Sequence, residues 1–239
     1  MAKVSNTLTR IYVDKYDFSG ILNSFTIGKT QETPEVACFG DGGPRRLVGN
    51  YDASVSLMGF FEPTTLINDA VQFGLLDDTD HLVCVCPGAF AAGSVAYEDV
   101  IAMTSRPMSA ATGGAVMANV EGAGRNASYR GTVLFNAIST GAQVTSGINF
   151  GASTTPTVLV ATFRLLAFTG TSVTMTIEES SDDGAVDTYA LISGMTSGVL
   201  SAANAVRVTT SATTEAWKRL RLAGTYTSAT VMVTFGTQS

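Results

Sequence analysis

His81 is the only histidine in this chain of 239 residues, and a serine or cysteine nucleophile would need it as its base. It stands in "DDTDHLVC", at the entrance to a strand, with no nucleophile motif in step with it. It therefore reads as an ordinary surface or loop histidine. Cys84 and Cys86 are two apart and share one face of a strand; with Cys38 they make an odd total of three. One histidine and a C-x-C pair cannot supply the four ligands of a zinc site. The cysteines read instead as small buried residues of a reducing compartment. "SSDDGAVD" (180–187) lacks the alternating ligands and closing Glu of a calcium loop, and is expected to be a hairpin turn. "GAGRNA" (122–127) fits G-x-G-x-x-A, but "SYRGTVLFN" follows it and alternates like a strand. A dinucleotide site needs a helix there, so this stretch too is expected to be a glycine-rich hairpin turn. Glu178 and Glu179 are strand neighbours facing opposite sides and cannot converge as an acid/base pair. The expectation is a protein that is not an enzyme and has neither cofactor nor metal.

One pair of charges remains. Arg45 and Arg46 sit in "FGDGGPRRLVGN", a Gly/Pro-rich loop that runs into the strand "YDASVSLMGFFE". Charges are scarce: 14% of residues against about a quarter in an average protein, while 45% are hydrophobic. The longest apolar run, "TVLVATFRLLAF" (157–168), is too short to span a bilayer and carries Arg164. "MAKVSNTLTRIYVDK" has no apolar core of a secretory signal. Membrane insertion is not expected, so so apolar a chain implies deep packing or extensive subunit contact. Net charge is −6, with 14 basic against 20 acidic residues. Tight nucleic-acid binding, which needs clustered Lys and Arg, is not expected.

The elements that must hold these residues are mostly strands. "EPTTLINDAVQFGLL" (62–76) is the exception: Pro63 suits a first helical turn, and Leu66, Ile67, Ala70 and Val71 recur at helical spacing. Period-two alternation elsewhere predicts antiparallel sheets with one buried and one polar face. Ala53, Val55 and Leu57 oppose Asp52, Ser54 and Ser56. Val116, Ala118 and Val120 oppose Met117, Asn119 and Glu121. Tyr129, Val133 and Phe135 oppose Ser128, Arg130, Thr132 and Asn136. Residues 139–157 are small, polar and turn-rich, as in a linker or sheet edge. A second block follows, with strands expected at 158–170, 172–180, 186–192, 205–210, 217–224 and 229–236, the rhythm of a sandwich or jelly roll. The division expected is residues 1–140 and 141–239.

Asp17, Ser19 and Gly20, then Phe39, Gly40, Asp41, Arg45, Arg46 and Gly49, then Gly59, Phe60, Phe61 and Glu62 form a pattern. It resembles the tail-tube (major tail) proteins of long-tailed bacteriophages. Cys38, where a Thr is common, and the extra glycines of "GDGGP" depart from that pattern. The second block, with "SVTMTIEESSDDG", "WKRLRL" and "VMVTF", resembles accessory β domains appended to phage tail proteins; comparable sandwiches also occur as carbohydrate-binding modules.

The resemblance implies a mainly β fold: two packed antiparallel sheets with one flanking α-helix, plus a C-terminal Ig-like or jelly-roll β-sandwich. It implies a virion structural protein, made in the bacterial host cytoplasm, whose copies form rings of six stacked into a tail tube. Its partners would be its own copies, the tape measure, tail terminator and tail tip proteins, and double-stranded DNA passing through without tight binding. Low charge suits such an assembly, whose interfaces run to roughly 2,000–5,000 Å², and ring closure would hide exposed sheet edges. On this reading Phe39, Asp41, Arg45 and Arg46 form a contact loop to the adjoining subunit or ring, with Asp77, Asp78 or Asp80 as acidic partners. The alternative is that both arginines solvate an exposed turn. Ser54, Ser56, Asn119, Glu121, Thr132 and Asn136 are the expected polar positions facing the lumen. A second class of function, a capsid decoration or tail-tip adhesin binding host-surface glycan, would need an exposed aromatic platform. Trp217, the only tryptophan, precedes "KRLRL" at a strand start, where packing is expected instead.

Overall fold

The computed structural model describes residues 9–33, 35–36, 45–46, 51–60, 74–77, 79–88 and 90–238. Among the described residues the strands β1 (Arg10–Val13), β2 (Tyr16–Asp17), β3 (Leu22–Gln31), β4 (Glu35–Val36), β5 (Arg45–Arg46), β6 (Tyr51–Phe60), β7 (His81–Cys86) and β8 (Val95–Ser105) come first. They are followed by β9 (Met108–Ser109), β10 (Met117–Ser139), β11 (Gln143–Val144), β12 (Ile148–Asn149), β13 (Ser153–Ser180), β14 (Ala190–Leu200), β15 (Asn204–Thr214) and β16 (Trp217–Gln238). The strand pairs are antiparallel, as the alternation predicts. The helix expected at 62–76 lies outside the described residues except for 74–76.

The chain groups into two compact units. One comprises Met1–Ser19, Leu82–Glu98 and Tyr129–Ser239; the other comprises Gly20–His81 and Asp99–Ser128. These packing units do not coincide with a linear division at residue 140. The chain crosses between them inside β7, β8 and β10, strands whose ends serve different neighbours.

In the unit of Gly20–His81 and Asp99–Ser128, β6 lies between β3 and β10, with Thr26 and Glu121 both opposite Ser56. Ala53, Val55 and Leu57 are buried while Asp52, Ser54 and Met58 are exposed. Across the ladder Ala118 and Val120 are buried with them. The short ribbon of β4 and β5 pairs Glu35 with Arg46 and Val36 with Arg45. The arginines thus stand on a strand, where a flexible loop was expected.

In the other unit, β13 and β16 pair from Val158–Gln238 to Ser180–Trp217. The far edge of β13 carries β15 along its first half and β14 along its second. The far edge of β16 carries β10, β11 and β12. Register breaks between Leu165 and Ala167 and on both sides of Gly170 bend the pair midway. Gly224 permits the close approach: its φ is +134°, and a Cβ there would lie 2.3 Å from the Ser172 carbonyl oxygen. Leu159, Phe163 and Leu165 before the bend join Met175 and Ile177 after it in one core with Leu220, Leu222, Val231 and Val233. Each such buried side chain contributes about 1.5–3 kcal/mol. The opposite face of β13 is covered as well, since Val160, Thr162 and Arg164 are fully buried. A strand buried on both faces need not alternate, which is why 157–168 reads as an apolar run without a period of two.

Several expectations are corrected by this packing. "GAGRNA" is no turn; it lies within β10, where Gly122 pairs with Val55 and Ala123 with Ser54. Its glycines allow contact: a Cβ on Gly122 would meet Ile101 at 2.8 Å, and one on Gly124 would meet Ala53 at 2.8 Å. Segments 158–170 and 172–180 are one strand, as are 217–224 and 229–236, because the bulges bend the ladder without ending it. The strand expected from 186 begins at Ala190, since bonds to Asp182 hold the preceding residues in a loop. Residues 139–157 form sheet edge, with Gln143 opposite Leu222 and Ile148 opposite Lys218.

Candidate functional site

A hydrogen-bonded polar surface lies on β6 and β10, in the unit of Gly20–His81 and Asp99–Ser128. Alternation puts Ser54, Ser56, Asn119 and Glu121 on one face. The Ser56 hydroxyl donates to Asn119 Oδ1 at 3.1 Å, and Asn119 Nδ2 donates to Glu121 Oε1 at 3.0 Å. Glu121 Oε2 accepts from the Ser105 hydroxyl at 2.9 Å, and Thr104 donates to the Glu121 carbonyl at 3.2 Å. The ladder fixes these side chains in place, and β3 extends the same face with Ser24, Thr26 and Thr30. Over the paired register its charged residues are Asp52 and Glu121, both acids; exposed Met58 and Phe60 mark one end. The next residue in phase, Arg125, places its guanidinium 3.3 Å from Asp80.

Thr132 and Asn136 do not belong together. A bulge between Val133 and Phe135 reverses the alternation. Thr132 lies opposite Phe235, in the larger core, whereas Asn136 lies opposite Met232, in a second cluster with Tyr12, Cys84, Cys86, Ala96 and Val133. Asn136 donates to the Tyr12 hydroxyl at 3.1 Å. Burial pushes the Tyr12 phenol up to about 12 despite that bond.

The acidic turn before β7 is tied internally. Asp77 accepts from the Thr79 amide at 2.9 Å and the Thr79 hydroxyl at 2.5 Å, and lies 3.1 Å from His81 Nε2. Those Thr79 bonds, chiefly, hold the Asp77 carboxyl below the usual carboxylate range. His81 is buried, against the expectation of a surface or loop histidine, because it opens β7 facing inward. Phe39, Asp41 and Asp78 lie outside the described residues, as do the side chains of Arg45 and Arg46. Cys84 and Cys86 are free, buried and on one strand face, their sulfurs 3.7 Å apart; burial drives the Cys84 thiol well up.

Sequence reading missed the polar centre of the other unit. Arg164 Nη1 and Nη2 meet Glu98 Oε1 and Oε2 at 2.7 and 2.8 Å. Arg164 Nε donates to the Asp14 carbonyl at 3.1 Å and Nη2 to the Leu82 carbonyl at 3.2 Å. Thr234 donates to Glu98 at 2.6 Å, and the Tyr129 hydroxyl lies 2.9 Å from Thr162 and 3.1 Å from Thr234. Burial works against the Arg164 charge, but Glu98 outweighs it and holds the guanidinium pKa above its ordinary value. The detectable signal was a lone arginine in an apolar run. Farther along β13, Glu178 meets Arg219 at 2.7 Å and Arg221 at 3.2 Å, while Glu179 lies 3.5 Å from Lys218. The two glutamates thus face opposite sides, as expected.

The turn at 180–187 is built around a carboxylate that collects amides. Asp182 accepts from Ala185, Val186 and Asp187 at 2.7–3.2 Å. Desolvation opposes its charge, yet these donors hold its carboxyl below the usual range. A carboxylate ringed by N–H groups offers its lone pairs to the backbone, not to a cation. Among the described residues no cluster of His, Cys, Asp and Glu could hold a metal ion. Trp217 is half-buried and lies opposite Ser180 and Asn149 on neighbouring strands.

No protein-family model matches the chain, and no curated protein does. Among solved structures, it is similar to the tail of an empty gene transfer agent particle with C6 symmetry, at 18% identity and TM-score 0.41, over 54% of this chain and 98% of that one. It is also similar to the SPP1 Dit protein, described as a hub adsorption apparatus in Gram-positive infecting phages. There identity is 10% and TM-score 0.39, over 97% of this chain and 100% of that one. Similarity to a chain of the phage p2 baseplate is 8% identity and TM-score 0.33, over 95% and 97% of the two chains. Likenesses this weak do not carry a function.

Proposed function

We propose that this chain is a structural protein of a bacteriophage virion, and that its copies close into stacked six-fold rings forming a tail tube through which DNA passes. The reading is carried by the hydrogen-bonded polar face on β6 and β10. Ser54, Ser56, Asn119 and Glu121 form a wall whose charges over the paired register are acids alone. Over that register the described residues of the wall include no Lys or Arg, so it releases no counterions from DNA and gives phosphates little to adhere to. With screening over ~10 Å, acid–phosphate repulsion acts only near the wall. The low overall charge suits the interfaces of an obligate assembly. Thr132 and Asn136, on opposite strand faces, cannot both line such a wall. Negative-stain microscopy of the purified protein at high concentration tests the proposal: rings or tubes are expected, and a dispersed monomer at every concentration refutes it.

In this proposal Arg45 and Arg46 dock on the acids at 77–80 of the adjoining subunit. Asp77 already accepts from Thr79, and Asp80 already meets Arg125, so docking shares or displaces those contacts. The double reversal Arg45→Glu/Arg46→Glu should leave a folded protein that forms no tubes; normal tubes from that variant would end the docking idea. Residues 141–239 are proposed to be an accessory region on the outside of the tube.

A further inference from the structure

We infer that a cleft in the unit containing β13 and β16 binds one anionic sugar unit, a monosaccharide bearing a carboxylate or phosphate. The cleft holds about 270 Å³ and is lined by Arg130 and Thr132 of β10, Phe150, Thr157 of β13, and Lys218 and Phe235 of β16, among others. That volume admits a single sugar ring but no extended chain.

Three features select the ligand. The first is charge. No carboxylate lines the cleft. The Lys218 ammonium is already held by Glu179 at 3.5 Å and by the Glu215 carbonyl. Arg130 is exposed and forms no ion pair with any described residue, so its planar fork is free to take an anion in two parallel bonds. The second is hydroxyl chemistry. Thr157 Oγ1 is buried and has no hydrogen-bond partner, a condition that native proteins resolve with a ligand or water. Thr132 and Thr214 add further hydroxyls to the wall, and hydroxyls both donate and accept, as sugar oxygens require. The third is an aromatic wall. Phe150 meets Phe235 edge-on, with ring centres 5.2 Å apart at 90°, which fixes an apolar surface for the C–H face of a sugar ring. A bare anion would use the first feature alone; a neutral sugar would leave Arg130 idle.

The test uses intact, unassembled protein, so its outcome is independent of tube formation. Saturation-transfer NMR and calorimetry are run with D-glucuronic acid, glucose 1-phosphate, glucose and inorganic phosphate. The acidic sugars are expected to bind, and both glucose and inorganic phosphate at least about tenfold more weakly, since each lacks one set of contacts. Arg130→Ala should weaken acidic-sugar binding by about tenfold or more, and Thr157→Val by several-fold, with unchanged circular dichroism in both. The inference is overturned if neither acidic sugar binds or if glucose binds as tightly as glucuronic acid. It also fails if inorganic phosphate matches glucose 1-phosphate, or if Arg130→Ala binds as the parent does.

Discussion

Removing the Arg164 guanidinium should be among the most damaging single changes in this protein. In Arg164→Met the Glu98 carboxylate would stay buried with the Thr234 hydroxyl at 2.6 Å as its remaining side-chain donor. The Asp14 carbonyl would lose its bond to Nε, whereas the Leu82 carbonyl would keep the Asp14 amide at 2.8 Å. Leaving one member of a buried pair uncompensated costs about 3–5 kcal/mol. Glu98→Leu should cost a similar 3–5 kcal/mol, since it buries an unpaired cation. The double variant Arg164→Met/Glu98→Leu removes both charges and should be more stable than either single variant. Urea unfolding followed by Trp217 fluorescence reads the effect, since the single tryptophan lies on β16 in the same unit. If Arg164→Met lost under about 1 kcal/mol, or if the two single losses simply added in the double variant, the assignment of this pair as the unit's central tie would be wrong.

Further outcomes follow from other contacts. The Tyr12 phenol, buried and raised from 10.0 to about 12, favours the folded state below pH 10 and loses that contribution as pH climbs toward 12. The loss amounts to about 3 kcal/mol. Tyr12→Phe should cost about 1 kcal/mol at neutral pH for the bond from Asn136 and should decline less steeply above pH 10 than the parent; equal declines in urea melts would refute it. Gly224→Ala forces a Cβ against the Ser172 carbonyl and should cost upward of about 2 kcal/mol, seen as a lowered melting temperature. A fragment of residues 141–239 lacks Glu98 for Arg164 and β10 beside β16. It should not unfold cooperatively, and a fragment as stable as the full chain would instead establish 141–239 as an autonomous domain.

The alternation of 51–60 and 117–121 could be read without the structure, because one buried and one wet face leave a strict period of two. The same rule failed at 128–137. One extra residue at the Val133–Phe135 bulge exchanges faces, and nothing local in the sequence marks it. Glycine misled at 122–127 for a different reason: conformational freedom and lack of bulk look alike in a sequence, and here the lack of bulk was used. Arg164 was visible as an anomaly, but its partner is 66 residues away, and pairing at that distance has no single-sequence signature. Strands such as β10, whose two ends fall in different packing units, leave no mark in the texture of the sequence.

β16 is the latest-synthesised of the described strands, yet it sits between β13 and β10. During translation the ribosome therefore releases a chain whose interior seam is still open. Its earlier strands wait for a central neighbour, and Glu98 waits for the hydroxyl of Thr234. A nascent chain, or one terminated before β16, cannot close that seam, and chaperones would find their clients among such unfinished products.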